Sequence, residues 1–489
     1  MASLALPPFH RVQIAAPTLG AVRAVAADWE ALVVDILDHI LTRHERHADY
    51  PFIDTKLNLI TGEEFPTPTT AEEQAQDFKG PTAVYGWIQG RGLEALVGHA
   101  RWLPECTVLP ARERTALEER TRAMIARVLE AMETLRARMN GRVPFVFTPE
   151  GQPFERDPAT GRRRAMDGAP ATCGFGDCFY VKGLQAAARY LAQPARQQES
   201  RAYMRLIADD IASGRFQGEY LRFDPQHGPA EGSGRTAHGP RMIAIGCAAL
   251  FARHFPTEDE WFDLGCEYIR YILSRHVHLG QLPPLNLPAG APGIQLYDMF
   301  EATDAQSRPW REPDGRILSD PGHSTEFVGL ACKFLFELER RPHKTPAQEM
   351  LLTEARAQFP AILLRNFRNG FRAPVGGICK SFDLVARQPV NADLPWWNLP
   401  ETMRAAVHVL RLCPGLDAAT QRELWEVVQA CSNGSFRTFV NGKVHRMAYQ
   451  TVSPEGRPIP VIPATPDADP GYHTGLCVID FLRALARLA

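Results

Sequence analysis

The sequence lacks most of the short patterns that announce a function. It has no CxxC pair, no phosphate loop ending in Gly-Lys-Ser/Thr, and no surplus of charge, with 54 basic against 56 acidic residues. That balance removes the electrostatic reason to expect nucleic acid or an anionic membrane as partner. No stretch of about 20 apolar residues occurs, so no membrane-spanning helix is predicted. The opening Met1-Ala2-Ser3-Leu4-Ala5-Leu6-Pro7-Pro8 has neither the charged start nor the long apolar core of a secretory signal, and the expected location is cytoplasmic. Gly174-Phe175-Gly176 precedes a helical stretch without the third glycine or the following acid of a dinucleotide site. Cys173 and Cys178 have no partners at zinc spacing, and His276-Val277-His278 stands without further ligands. Neither a cofactor nor a metal is expected.

What is present is helix. The ten cysteines sit mostly in apolar runs such as Ile245-Gly246-Cys247-Ala248-Ala249-Leu250, where a thiol behaves as a small hydrophobe, and they are read as free core residues. Apolar periodicity predicts helices near 21–46, 87–100, 111–139, 176–193, 197–213, 239–254, 258–277, 322–340, 346–367, 397–413, 417–430 and 472–488. They alternate in character. The stretch Arg112-Glu113-Arg114-Thr115-Ala116-Leu117-Glu118-Glu119-Arg120 carries a wide charged face for solvent. By contrast, Gly239-Pro240-Arg241-Met242-Ile243-Ala244-Ile245-Gly246-Cys247 and Phe327-Val328-Gly329-Leu330-Ala331-Cys332 are apolar nearly all round, as a helix buried on both sides must be.

Six outer amphipathic helices around six inner buried ones define an all-α (α/α)6 barrel. Short strand-like runs at 143–147 and 442–447 are expected as β-hairpins decorating the active-site mouth. The domain expectation is an N-terminal arm over 1–20 and a single barrel over 21–489.

Polar and aromatic side chains gather where the inner helices begin: Tyr85-Gly86-Trp87-Ile88-Gln89-Gly90-Arg91, Asp177, His238, Pro321-Gly322-His323-Ser324-Thr325-Glu326, Trp396-Trp397-Asn398-Leu399-Pro400-Glu401 and Gly471-Tyr472-His473. In a ring of parallel inner helices those starts converge on one mouth. Histidine is the side chain best suited to proton transfer near neutral pH. Two of them beside a sugar could move a proton at C2, or between C2 and C1, through an enediol. Tryptophan faces suit the C–H side of a pyranose, and Arg91 could stabilise a developing enolate. Taken singly, each has a plainer reading. A histidine at a helix start is often a cap, Arg91 an ion-pair partner, the Trp396–Trp397 pair packing, and Glu326 a first-turn anion. His39, His44, His47, His99, His254, His276, His278, His343 and His408 are given that plainer reading.

The same segments, in this order, resemble the motifs of the N-acylglucosamine 2-epimerase family, which includes cellobiose 2-epimerases and aldose–ketose isomerases. Gly376-Gly377-Ile378 fits its pattern too, and the resemblance runs over roughly 25–489. It implies an (α/α)6 barrel with His323 and His473 as general acid and base and His238 as a third polar group at the sugar. It implies further that Arg91, Glu326, Trp396 and Glu401 line the pocket; Trp397, Asp177 and Tyr85 join them as expected substrate-binding residues. The sequence departs from the family at Leu476, where N-acylglucosamine-type members carry arginine, and at Leu394-Pro395, where an acid or lysine is common. The expected function is a carbohydrate epimerase or aldose–ketose isomerase acting on a mono- or disaccharide, with a homodimer left open. The alternatives are a glycoside hydrolase or lyase using two of Asp177, Glu326 and Glu401, and a non-catalytic sugar-binding relative.

Overall fold

The computed structural model describes residues 6–488 apart from positions 48, 158, 218–233, 283–289, 442, 443, 445 and 461–468. Among the described residues, twelve long helices alternate between two concentric rings. The outer ring is α1 (Ala26–Arg46), α3 (Ala111–Arg138), α5 (Pro194–Ala212), α7 (Asp259–His276), α9 (Pro346–Gly370) and α11 (Ala418–Gly434). The inner ring is α2 (Gly86–Trp102), α4 (Phe175–Tyr190), α6 (Gly239–His254), α8 (Pro321–Glu339), α10 (Asn398–Leu412) and α12 (Cys477–Leu485). Each inner helix packs on the next, α12 returns to α2, and each outer helix lies against an inner one. This is an (α/α)6 barrel, as the alternation of apolar faces required. No helix of the described residues is long and apolar enough to cross a membrane.

Local chemistry sets where the inner helices begin. Asp320 caps α8 by accepting from the backbone N–H groups of Gly322 and His323, with Pro321 at the first helical position, where its missing donor costs nothing. The α2–α4 contact is close because it is made by glycines: a Cβ on Gly90 would stand 2.5 Å from the backbone of Phe179, and one on Gly183 2.6 Å from the carbonyl of Gly90.

The last inner helix departs from expectation. Instead of an α-helix from 472, Tyr472–Leu476 form a π-turn, and α12 starts only at Cys477. Gly471 opens the turn at φ +81°, a conformation L side chains rarely adopt, and a Cβ there would press on His99. π-turns of this kind recur at functional sites because they rotate one side chain out of the regular ladder.

Among the described residues, three of the short ladders are local hairpins, Phe154–Arg156 with Arg163–Ala165, Phe371–Arg372 with Gly377–Ile378 and Ser381–Asp383 with Gln388–Asn391, while four others join distant segments, the expected run at 143–147 among them. Val146–Phe147 pairs with Val84–Tyr85, Thr236–Ala237 with Ala302–Thr303, and Leu394–Pro395 with Thr451–Val452. Leu318–Ser319 pairs with Ser381–Asp383. Each of these four long-range ladders holds the segment just before α2, α6, α8 or α10, so these four lie at the N-terminal mouth of the inner ring. Positions 442, 443 and 445 of the second expected hairpin lie outside the described residues; Val444 and Arg446 are in turns, and Val440 bridges Ala448.

The chain before the barrel is irregular up to a short helix, Leu19–Arg23. It is tied down by the Asp28 carboxylate, which accepts from the N–H groups of His10 and Val12, and by Asn433, which accepts from Ile14.

Candidate active site

The N-terminal mouth brings together side chains from four inner helices, the π-turn and one loop. His473 is its best-held member. Three backbone N–H groups, from Tyr472, His473 and Thr474, converge on the Asp469 carboxylate and fix the π-turn. The His473 ring then lies between two charged partners: Nδ1 is 2.9 Å from Glu401 Oε1, and Nε2 is 3.1 Å from Arg91 Nη1. A guanidinium can only donate, so Nε2 accepts and Nδ1–H donates to Glu401. That fixes the tautomer, with the proton on Nδ1 and the Nε2 lone pair turned towards Arg91.

Glu401 is fully buried and spoken for on every side. Arg404, one turn along α10, pairs with Oε2, and the Cys477 thiol donates to Oε1 at 2.9 Å. Burial opposes its charge, but Arg404 and His473 outweigh burial and hold the carboxyl well below the usual carboxylate range. Glu401, His473 and Cys477 also offer metal-ligand atoms within 4.8 Å of one another. With the Arg404 cation already on the carboxylate, a second cation there would meet direct repulsion.

Arg91 is itself held by aromatic faces, its guanidinium 4.1 Å from the Phe179 ring centroid and 4.5 Å from that of Trp87.

His323 has the opposite environment. Its Nδ1 is 3.4 Å from Asp320 and 3.6 Å from Glu301. Burial alone would lower this imidazole; Asp320 and Glu301 outweigh it and hold it up at about 9. It is also the most open of the three histidines, with 29% of its side chain exposed. His238, buried at the N-cap of α6, places Nε2 3.4 Å from the same Glu301 oxygen, and its ring meets that of His323 edge-on at 6.1 Å. Behind it, His276 donates Nδ1–H to the Phe300 carbonyl and lies 5.4 Å from the His238 ring; burial pushes it down to about 3.

Trp397 joins the two halves. Its indole lies 5.4 Å from the His323 ring and 5.6 Å from the His473 ring, while Trp396 meets His473 edge-on. Glu326 is buried close by, and burial followed by the neighbouring Glu401 pushes its carboxyl above the usual range. Several buried polar atoms here have no hydrogen-bond partner among the described residues: Trp87 Nε1, Arg91 Nε, His238 Nδ1, Glu326 Oε1 and Trp396 Nε1. Such atoms are rare in native proteins, and a cluster of mixed donors and acceptors matches a polyhydroxylated ligand.

The structure therefore gathers His323, His473, His238, Arg91, Glu326, Trp396, Trp397 and Glu401, and leaves two expected residues out. Asp177 stands apart: its carboxylate accepts from the backbone N–H groups of Val143 and Gly174 and from the Tyr203 hydroxyl, pinning the 143–174 connection to α4. Burial pushes it up to about 6 despite those bonds. Tyr85 also stands apart; it donates to the Phe78 carbonyl and packs on Phe145. Three residues escape sequence reasoning. Glu301 sits in a long irregular connection and reaches the histidines because the 236–237/302–303 ladder stitches that loop to the start of α6. Asp320 is visible only as a helix cap. Cys477, one of the ten buried free thiols, carries no local mark that sets it apart from core packing. The departure at Leu476 points elsewhere, packing with Ala95 and Tyr472 against α2, and Leu394–Pro395 lies in a ladder.

No protein-family model matches the sequence, and none of the curated proteins does. Solved structures do match. The fold is similar to that of a cellobiose 2-epimerase from Bacillus thermoamylovorans B4167, at 9% identity and a TM-score of 0.61 over 94% of this chain and 99% of that one. It is similar to the cellobiose 2-epimerase from Spirochaeta thermophila DSM 6192, at 14% identity and a TM-score of 0.60 over 96% and 98% of the two chains. A D-mannose isomerase follows at 13% identity and a TM-score of 0.55, over 92% and 97%. At these identities the likeness establishes the fold. What the chain shares with these neighbours is the fold; the resemblance to the N-acylglucosamine 2-epimerase superfamily rests on the sequence motifs.

Proposed function

We propose that this chain is a carbohydrate epimerase or aldose–ketose isomerase of that superfamily, built on one barrel over 21–489, with a mono- or disaccharide substrate. The observation that carries the reading is the pair of histidines leaning on one indole with opposite electrostatic support. His473, its Nδ1–H oriented by Glu401, is the base; His323, held protonated by Asp320 and Glu301, is the acid. Pairs of titratable groups whose surroundings push them apart are how one site runs acid and base chemistry at one pH.

In this reading the open-chain aldose lies against Trp397. As the sugar enters, Arg91 turns its N–H from His473 to the C1 oxygen, and the freed His473 Nε2 removes the C2 proton as charge develops on that oxygen, giving the enediolate. Arg91, already at the ring, and protonated His323 supply the positive charge that stabilises it. Return of a proton to the other face of C2 restores the C1 aldehyde as the epimer; delivery to C1, with the O2 proton passed to the C1 oxygen, gives the ketose. His238 and Glu326 serve as hydrogen-bonding groups to the sugar hydroxyls, and neither cofactor nor metal has a part in the scheme.

A hydrolase would need a carboxylate free to attack or to activate water, with a second as acid. Glu401 has both oxygens committed, and Asp177 is committed to backbone, so the carboxylates favour the histidine route.

The test is proton NMR of a panel of aldoses, ketoses and disaccharides in deuterated buffer. Deuterium appearing at C2 of one sugar, and its loss in His323→Ala and His473→Ala, is the expected result. Product formed without any exchange, or reducing ends released from a glycan and lost in Glu326→Gln but not in His473→Ala, would refute it.

A further inference from the structure

The barrel has a second opening, at the C-terminal ends of the inner helices, and its chemistry is unlike the first. A cavity of about 360 Å³ lies there, within the range of small-molecule sites. Its walls carry Arg253, Lys333, Arg340, Arg411, Arg483 and Arg487. Against these six cations the lining offers only two carboxylates, Glu105 and Asp480, and both are already engaged, by Arg483 and by Lys333 at 2.6 Å each.

Basic residues in a last helical turn are ordinary, since they complement the helix dipole. Ordinary complementation does not account for the crowding here. Glu337 takes both Arg253 and Arg340. Arg411 has no ion-pair partner among the described residues and stacks on the Phe336 ring at 3.8 Å; Arg487, exposed at the end of α12, has no ion-pair partner among them either. Burial, then Arg487 and Arg340, push the Arg411 guanidinium down; burial, then Arg189, Arg253 and Arg483, do the same to nearby Arg101. The cations of this mouth repel one another, and a partly desolvated site screens that repulsion less than water does.

We propose that this cavity binds a small, multiply charged anion carrying clustered phosphate groups, at the end of the barrel opposite the histidines. Arginine forks match phosphate oxygens two at a time, and several forks around one cavity favour clustered over single charges.

Isothermal titration with inorganic tripolyphosphate, at constant ionic strength, tests this on the full chain. The expected result is one saturable site per chain that weakens at least tenfold in Arg411→Gln/Arg487→Gln. Binding should persist in Arg411→Lys/Arg487→Lys, in His323→Gln, and in Arg422→Gln/Arg457→Gln, which removes the same charge from exposed positions elsewhere. Melting of each variant without anion checks that the fold is kept. The proposal is overturned by the absence of saturable binding or by equal weakening in the Arg422/Arg457 control. Loss of binding in His323→Gln would also overturn it, since that places the anion in the histidine mouth. Because the readout is binding, its failure is separate from any failure of the C2-exchange test.

Discussion

His473 donates its Nδ1 proton to Glu401 across 2.9 Å, and that bond leaves the other ring nitrogen as an acceptor facing Arg91. The carboxylate does for the base what a helix frame alone could not: it selects the tautomer and stabilises the imidazolium formed when the proton is taken. Glu401 is held for that task by Arg404 and Cys477.

Glu401→Gln is therefore expected to lower turnover by about 10²–10⁴-fold with a smaller change in KM, because the amide can present its N–H to Nδ1 and favour the wrong tautomer. Steady-state kinetics on the sugar found by C2 exchange checks the split. The same variant leaves buried Arg404 with only the more distant Asp480 at 4.0 Å, a loss of up to about 3–5 kcal/mol, readable by chemical denaturation. Normal turnover in a correctly folded Glu401→Gln protein would remove Glu401 from the mechanism.

The pH dependence of stability follows from His323. Its imidazole is raised from 6.5 to about 9 in the folded protein, so the folded state holds the proton more tightly than the unfolded chain. The resulting stabilisation is fully present below pH 6.5 and is lost as pH rises through 9. Its size is up to roughly 3 kcal/mol, because each tenfold gain in proton affinity is worth about 1.36 kcal/mol. Urea midpoints should therefore fall as pH rises from 6.5 through 9, and His323→Gln should remove most of that fall.

Glu301→Gln separates the loop's contribution to the same histidine. Removing an opposite charge at this distance lowers an imidazole pKa by about 1–3 pH units. The alkaline limb of the rate–pH profile, set by loss of the His323 proton, should then move to lower pH by a like amount. An unmoved limb would mean that Asp320 alone supports the acid.

Asp177→Ala distinguishes a fastening from a ligand contact. It strips acceptors from the Val143 and Gly174 N–H groups and the Tyr203 hydroxyl, at about 1–3 kcal/mol for each buried donor left unpaired. A lowered melting temperature with an unchanged KM at a permissive temperature is expected. A raised KM with unchanged melting would return Asp177 to the sugar.

Much of the site is legible before folding because its residues mark helix starts. His323 follows Pro321 at a capped start, Glu401 lies one turn into α10, and Arg91 lies in the second turn of α2. Their positions in helices that must be buried all round place them at one mouth. Asp177 shares that signature and yet caps its own helix and binds a neighbouring loop, because a carboxylate at a helix start finds backbone donors as readily as a ligand. Glu301 has no signature at all; its place depends on a two-residue ladder between segments some 65 positions apart.

By itself, the sequence determined the helices, their division into solvent-facing and wholly buried ones, and through that the barrel, since periodicity records which faces must leave water. Tertiary structure decided what each polar group meets. Arg91 and Glu401 reach His473 only because the ring closes α12 onto α2 and a π-turn swings the imidazole inward, and the two histidines differ in charge only because a loop brings Glu301 to one and not the other. Burial is written in local pattern; the partner across a cavity is set by how distant segments close on one another.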